Sequence, residues 1–234
     1  MIPLAQLQLD TFLGALLLAF PSLFSIVNPL GSALIFREAT SGRSPLERRY
    51  LARRISIYTA FILIGSMWIG GFVLAFFGVS IGALRVAGGL VVTVSAWGLL
   101  MEPQRHEDRK VADAAPKQGD PEDVAFFPLT MPLTTGAGTI AVAIALSSQQ
   151  PADSVGKLSY SAGESVAALA IALLVLVSYG WSDRVVALLG ERGARIVSRL
   201  TAFILLCVGI QIITTGVTSL AATLFAPLHH QIPG

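Results

Sequence analysis

Two short segments of this chain combine residue types that could hold a polar solute inside an apolar protein. The first is Asn28-Pro29-Leu30-Gly31-Ser32. An Asn can accept from exposed backbone N–H groups as an N-cap, and Pro suits the first helical position because it has no N–H to satisfy. A half-helix starting at Pro29 would aim its positive end into the protein, with Gly31 and Ser32 leaving the backbone approachable. The second segment is Pro132-Leu133-Thr134-Thr135-Gly136-Ala137-Gly138. There Thr134 and Thr135 can play the capping part, with Pro132, Gly136 and Gly138 completing the candidate site. Two helix N-termini converging on one cavity would hold a carboxylate or another anionic group. A blander reading also fits these residue types: Pro and Gly kink helices or let them pack closely.

Other chemistries lack their parts. The three histidines, His106, His229 and His230, lie near charged or terminal segments, so no apolar stretch holds a His base for a serine nucleophile. No pair of carboxylates lies inside one either, and there is no phosphate-binding loop. Cys207 is the single cysteine, which excludes an internal disulfide and a Cys-based metal framework. An enzyme, a metal site, a cofactor and a nucleic-acid partner are therefore not expected. A coupling ion has two candidate routes. H+ could use a carboxylate at a stretch end (Asp10, Glu164 or Asp183), and Na+ could sit on backbone and hydroxyl oxygens. An uncoupled path is the third option.

The elements that would position these residues are membrane helices. Of the 234 residues 54% are hydrophobic and 13% charged, half the roughly 25% charge usual in soluble domains. Long uncharged stretches predict six spans, at about 11–36, 55–77, 81–101, 124–148, 163–182 and 200–225. Continuous apolar runs favour helices over a barrel. The first stretch has no Lys or Arg before it and is too long for a signal core, so it is expected to remain as a span. Six spans put fourteen of the sixteen basic residues on one side, with Arg85 and Lys157 opposite. That bias predicts both termini outside the cytoplasm.

The charged stretch 102–123 reads as a solvated cytoplasmic linker between two three-span halves, 1–101 and 124–234. Halves with an odd number of spans would lie upside down relative to each other if they are duplicates. The fold expected is all-α and polytopic, with six transmembrane helices in two inverted three-helix repeats. Spans 3 and 6 overlay only weakly, as LRVAGGLVV from Leu84 on VSRLTAFIL from Val197. Among minor features, Gly78 and Gly82 are expected to serve a turn, and Gly65, Gly70, Gly71, Gly88, Gly89, Ala141 and Ala145 to supply close helix contacts. Arg85 and Glu164 lie near span ends, where snorkelling is favoured over pairing at an outer gate. Gln211 suits either a cavity lining or a helix–helix hydrogen bond.

The Asn28-to-Gly31 and Pro132-to-Gly138 motifs, the span spacing and the Arg-rich loops together resemble the MarC family of small six-span bacterial membrane proteins. Where that family usually has Pro between the two glycines, this chain has Ala137. The resemblance implies a bacterial inner-membrane protein in contact with lipid, and a secondary transporter or exporter of small solutes, most plausibly neutral amino acids. The alternative is a structural or regulatory membrane protein without transport.

Overall fold

The computed structural model describes residues 12–101, 120–151 and 154–225. Most of the predicted linker, Asp10 and the three histidines lie outside these residues. The described chain is helical: α1 (Phe12–Val27), α2 (Pro29–Ala39), α3 (Pro45–Phe76), α4 (Ile81–Met101), α5 (Pro121–Thr134), α6 (Ala137–Ser147), α7 (Ser154–Gly180) and α8 (Ser182–Phe225). Five helices are long and apolar enough to cross a membrane, with Phe12–Ala39 as one. The pair α5–α6, bent by 64° at its break, supplies a sixth if it counts as one span.

Local chemistry explains the boundaries. Ser44-Pro45-Leu46-Glu47 starts α3 as a capping box: the Glu47 carboxylate accepts from the Ser44 N–H at 2.8 Å, and Ser44 Oγ accepts from the Glu47 N–H at 3.3 Å. Gly78 turns the chain after α3 with φ of +74°, a conformation that favours glycine. Several helices outrun their apolar cores. α3 begins at Pro45 rather than near residue 55, and α8 begins at Ser182 rather than near 200. The predicted basic loop between spans 5 and 6 is therefore helix, and Trp181 alone separates α7 from α8. An apolarity window finds the membrane core of a helix, not its water-facing turns.

Packing divides the helices into inner and outer sets. The most apolar windows of α1–α2 and α7 are 56% and 50% buried, against 28% for α3, α4 and α8. The outer faces carry Phe61, Trp68, Phe72, Val94, Trp97 and Phe203, all exposed, as lipid-facing surfaces should. α4 and α8 lie antiparallel at close range. A Cβ on Gly82 would stand 2.8 Å from Leu220, on Gly216 2.7 Å from the Val86 backbone, on Gly89 2.7 Å from the Ile213 backbone, and on Gly209 2.8 Å from the Thr93 backbone. Gly82 thus belongs to helix packing, and only Gly78 to the turn. Gly70 and Gly88 also sit in close contacts, with Ile144 and Ala145, whereas Gly65 and Gly71 face open space.

The Arg-rich segments gather at one end. Asp183 pairs with Arg37 at 2.8 Å and Arg48 at 3.3 Å, tying the end of α2 and the start of α3 to the start of α8. Arg54 of α3 pairs with Glu122 of α5 at the same end. The opposite end holds Gly163 of α7 against Phe12 of α1, and Arg85 of α4 against Ser148 after α6. The broken spans α1–α2 and α5–α6 therefore run in opposite directions.

Candidate functional site

Both motifs interrupt their spans, by different means. Asn28 takes a left-handed backbone, φ 49° and ψ 62°, and Pro29 restarts the helix at its first position. The Asn28 Oδ1 accepts from the Gly31 N–H at 3.2 Å, as the N-cap reading requires. Its Nδ2 donates to Ser198 Oγ of α8 at 2.8 Å. A Cβ on Gly31 would collide with the Asn28 carboxamide, so the glycine makes room for the cap rather than for a ligand.

The second break departs from the expected capping. α6 starts at Ala137 after Gly136, with no side-chain cap. The threonine hydroxyls turn backwards instead: Thr130 Oγ1 donates to the Ala125 carbonyl at 2.6 Å, Thr134 Oγ1 to Leu129 at 2.7 Å, and Thr135 Oγ1 to Thr130 at 3.2 Å. Each reaches back five residues because the chain over Ala125–Thr134 is interrupted by extended backbone at Phe127 and Met131, each before a proline that brings no N–H. The hydroxyls add a second bond to this backbone, the Thr130 carbonyl also accepting from the Thr135 N–H at 2.8 Å. At the start of α6, Ala137 is exposed and a Cβ on Gly138 would meet nothing within 4 Å.

The two breaks meet at a residue that neither motif contains. Tyr179, near the end of α7, is buried, stacks on Phe36 of α2 with ring centroids 4.6 Å apart, and places its hydroxyl 2.9 Å from Thr134 Oγ1. The same hydroxyl hydrogen-bonds with Ser32 of α2. Thr134 and Ser32 spend their single protons on the Leu129 and Val27 carbonyls, so Tyr179 is the donor to the hydroxyl oxygens it faces. The result is a buried chain from Ser32 through Tyr179 to Thr134. Of the predicted residues, Ser32 and Thr134 share this chain. Asn28, Pro29 and Gly31 build the break beside it. Thr135 bonds within α5, and Pro132, Gly136 and Gly138 shape the turn into α6.

A hollow of about 270 Å³ at the Arg-rich end is lined by Tyr179 together with Arg48, Arg49, Trp181, Asp183 and Arg184. Ligand sites for drug-sized molecules run from about 300 Å³, so this space suits a smaller solute. At the opposite end Tyr160 and Leu146 are fully buried, and Gly88–Ala145 and Gly163–Phe12 are close contacts.

Tyr179 and Ser198 escaped the sequence reading. Tyr179 stands in Ser178-Tyr179-Gly180-Trp181, which reads as an interfacial aromatic pair, and Ser198 stands in a basic stretch taken for a loop. Glu164 needs a correction. It is 1% exposed, not snorkelling, because α7 starts at Ser154 and carries Glu164 well inside the helix. It makes no ion pair with Arg85, whose Nε donates to the Ser148 carbonyl at 2.7 Å. No group of His, Cys, Asp and Glu among the described residues could hold a metal ion.

Comparison with known proteins agrees with this architecture. The family model described as MarC family integral membrane protein matches residues 13–221. A membrane protein of Archaeoglobus fulgidus is 33% identical over 205 residues, covering 88% of this chain and 93% of its own. The membrane protein YvbG of Bacillus subtilis is 29% identical over 197 residues, 84% of this chain and 91% of its own. The inner membrane protein MarC of Escherichia coli is 30% identical over 220 residues, 92% of this chain and 99% of its own. No solved structure matches.

Proposed function

From the premise that this chain belongs to the MarC family of integral membrane proteins, we propose that it is a secondary transporter or exporter of small solutes in the inner membrane, with neutral amino acids as the substrate class. The observation that carries this is the hydroxyl chain Ser32–Tyr179–Thr134, which joins two oppositely directed broken helices, with Tyr179 also lining a hollow at the Arg-rich end. Broken helices line solute paths in membrane carriers because their unwound backbone offers polar groups where hydrocarbon offers none. An amino acid has a carboxylate for the uncapped α6 N-terminus and an ammonium for hydroxyl and carbonyl oxygens. A hollow at the Arg-rich end with tight packing at the other is what one limb of an alternating-access cycle needs.

Two regularities favour inverted repeats. The half-helices α2 and α6 are both eleven residues long. The α4–α8 contacts are self-consistent under a shift of 127 positions, which carries Gly82 to Gly209 and Gly89 to Gly216. The pair Gly82–Leu220 then maps onto Gly209–Thr93, and Val86–Gly216 onto Ile213–Gly89, and all four are contacts. That register differs from the overlay of Leu84 on Val197, which aligned apolarity instead of contacts. The Arg-rich end is assigned to the cytoplasm by the basic-residue rule, with both termini outside.

The test is exchange of labelled leucine, alanine and serine in vesicles holding the purified protein. Asn28→Gly keeps the left-handed backbone while removing the cap and the Ser198 bond. Exchange by the wild type and its loss in Asn28→Gly are the expected results. Absence of exchange across a broad solute panel sinks the proposal and leaves a structural or regulatory role.

A further inference from the structure

We propose that Glu164 is a proton-binding site at the end opposite the arginines, and that its proton exchange drives the solute cycle; this rests on the transport reading above. Glu164 lies about 15 Å along α7 from Ser154 at the usual helical rise. Its side chain is 1% exposed. One carboxyl oxygen accepts from Gln150 Nε2 at 3.4 Å, and that amide also donates to Ser161 Oγ at 3.1 Å. The other oxygen, Oε1, is buried and has no hydrogen-bond partner. Buried polar atoms are nearly always paired, so a carboxyl oxygen left open calls for a partner.

The surroundings supply hydrogen-bond partners for a neutral carboxyl and no counter-charge for an ionised one. Among the described residues, no cation forms an ion pair with Glu164. From α4 comes Arg85, which is turned to the Ser148 carbonyl. α7 itself carries Lys157, lying over the Phe72 ring at 4.7 Å, and Tyr160, bonded to the Leu146 carbonyl at 3.4 Å. α3 presents Trp68, whose Nε1 donates to Ser165 at 3.0 Å. α1 presents Phe12 and Ala15 against Gly163. A titratable group inside a span, facing the protein interior, is a functional position in membrane proteins far more often than an accident.

The step is a simple dissociation. When this end opens, water reaches Oε1 and Oε2, the carboxyl O–H bond breaks, and the proton leaves to water. The electron pair stays on the carboxylate, which water then solvates. Closing the end again requires the proton back. Proton uptake and release are thereby tied to the change of access.

Infrared difference spectra of the whole protein in lipid, taken between acidic and alkaline buffer, test the first half directly. A carboxylic-acid carbonyl band that disappears as pH rises is expected in the wild type and in Glu164→Asp, and is expected to be missing in Glu164→Gln. A spectrum for Glu164→Gln identical to wild type overturns the site. For coupling, the same vesicles are loaded with labelled leucine under a pH gradient. Glu164→Gln is expected to lose accumulation down to the level of empty vesicles while still exchanging leucine at equal pH, and Glu164→Asp to restore accumulation in part. Accumulation by Glu164→Gln equal to wild type overturns the coupling role. If the wild type moves no solute at all, the transport reading and the coupling role fail together, while the infrared band still decides whether Glu164 binds a proton.

Discussion

Asn28 does two jobs with one carboxamide, holding the Gly31 amide of α2 with its oxygen and Ser198 with its nitrogen, on a left-handed backbone. A residue with a Cβ but no polar side chain pays for that backbone at about 1–2 kcal/mol. Asn28→Ala is therefore expected to unfold at a lower temperature than Asn28→Gly, although both lose the same hydrogen bonds; thermal unfolding in detergent decides. Gly31→Ala should be destabilised by about 1–3 kcal/mol, because the new methyl collides with the cap it sits under. Tyr179→Phe removes one buried hydroxyl from the chain between the two breaks. A loss of about 1.4 kcal/mol, close to the net worth of one hydrogen bond, slows leucine exchange about tenfold if the hydroxyl acts on the moving solute path. Unchanged exchange in Tyr179→Phe would reduce that chain to packing. The Asn28 cap was legible because its partner lies three residues away. Tyr179 was not, because its partner Thr134 lies 45 residues away and only folding brings them together.

Among the helices, α4 and α8 show how a membrane pair is held without a hydrophobic driving force. Lipid tails are as apolar as the side chains, so stability comes from close backbone approach and from hydrogen bonds of about 0.6 kcal/mol on average. Gly89 and Gly209 allow that approach, and Gly65 does not take part in any. Gly89→Ala is expected to cost about 1–3 kcal/mol by overpacking against the Ile213 backbone. Gly65→Ala should be neutral or stabilising by about 0.5–1 kcal/mol, since it gains helix propensity in open space. Comparing the two unfolding midpoints separates close packing from a general intolerance of added methyl groups. The apolar cores of the spans were plain in the sequence, because hydrocarbon selects composition directly. The water-facing extensions of α3 and α8 were hidden, because charged turns continue a helix as readily as they end one.

The molecule as a whole is asymmetric between its ends. The Arg-rich end has a hollow beside Tyr179 and is latched by pairs of Asp183 with Arg37 and Arg48, each worth about 0–1 kcal/mol. The other end is held by close contacts at small residues and by buried side chains. Asp183→Asn is expected to change unfolding by less than about 1 kcal/mol while increasing the reactivity of a cysteine placed at Gly180. That measurement uses an impermeant maleimide in a Cys207→Ala background, Cys207 being exposed. In the same background a cysteine at Ser41 should react only from the cytoplasmic side and one at Ser80 only from outside. The reverse pattern would overturn the orientation.

Composition, the lengths of the uncharged stretches and the two Pro/Gly interruptions were enough to specify a helical membrane chain of five to six spans with breaks near residues 28 and 136. Each of those properties is local: a bilayer reads apolarity stretch by stretch, and a proline disrupts the helix in which it sits. Which hydroxyls meet, which glycines touch backbone and which carboxyl is buried depend on helices that are distant in sequence, so no local pattern carries them. Glu164 is the clearest case. Its neighbours in the chain are those of a span end, and its burial follows from the packing of α1, α6 and α7 around it.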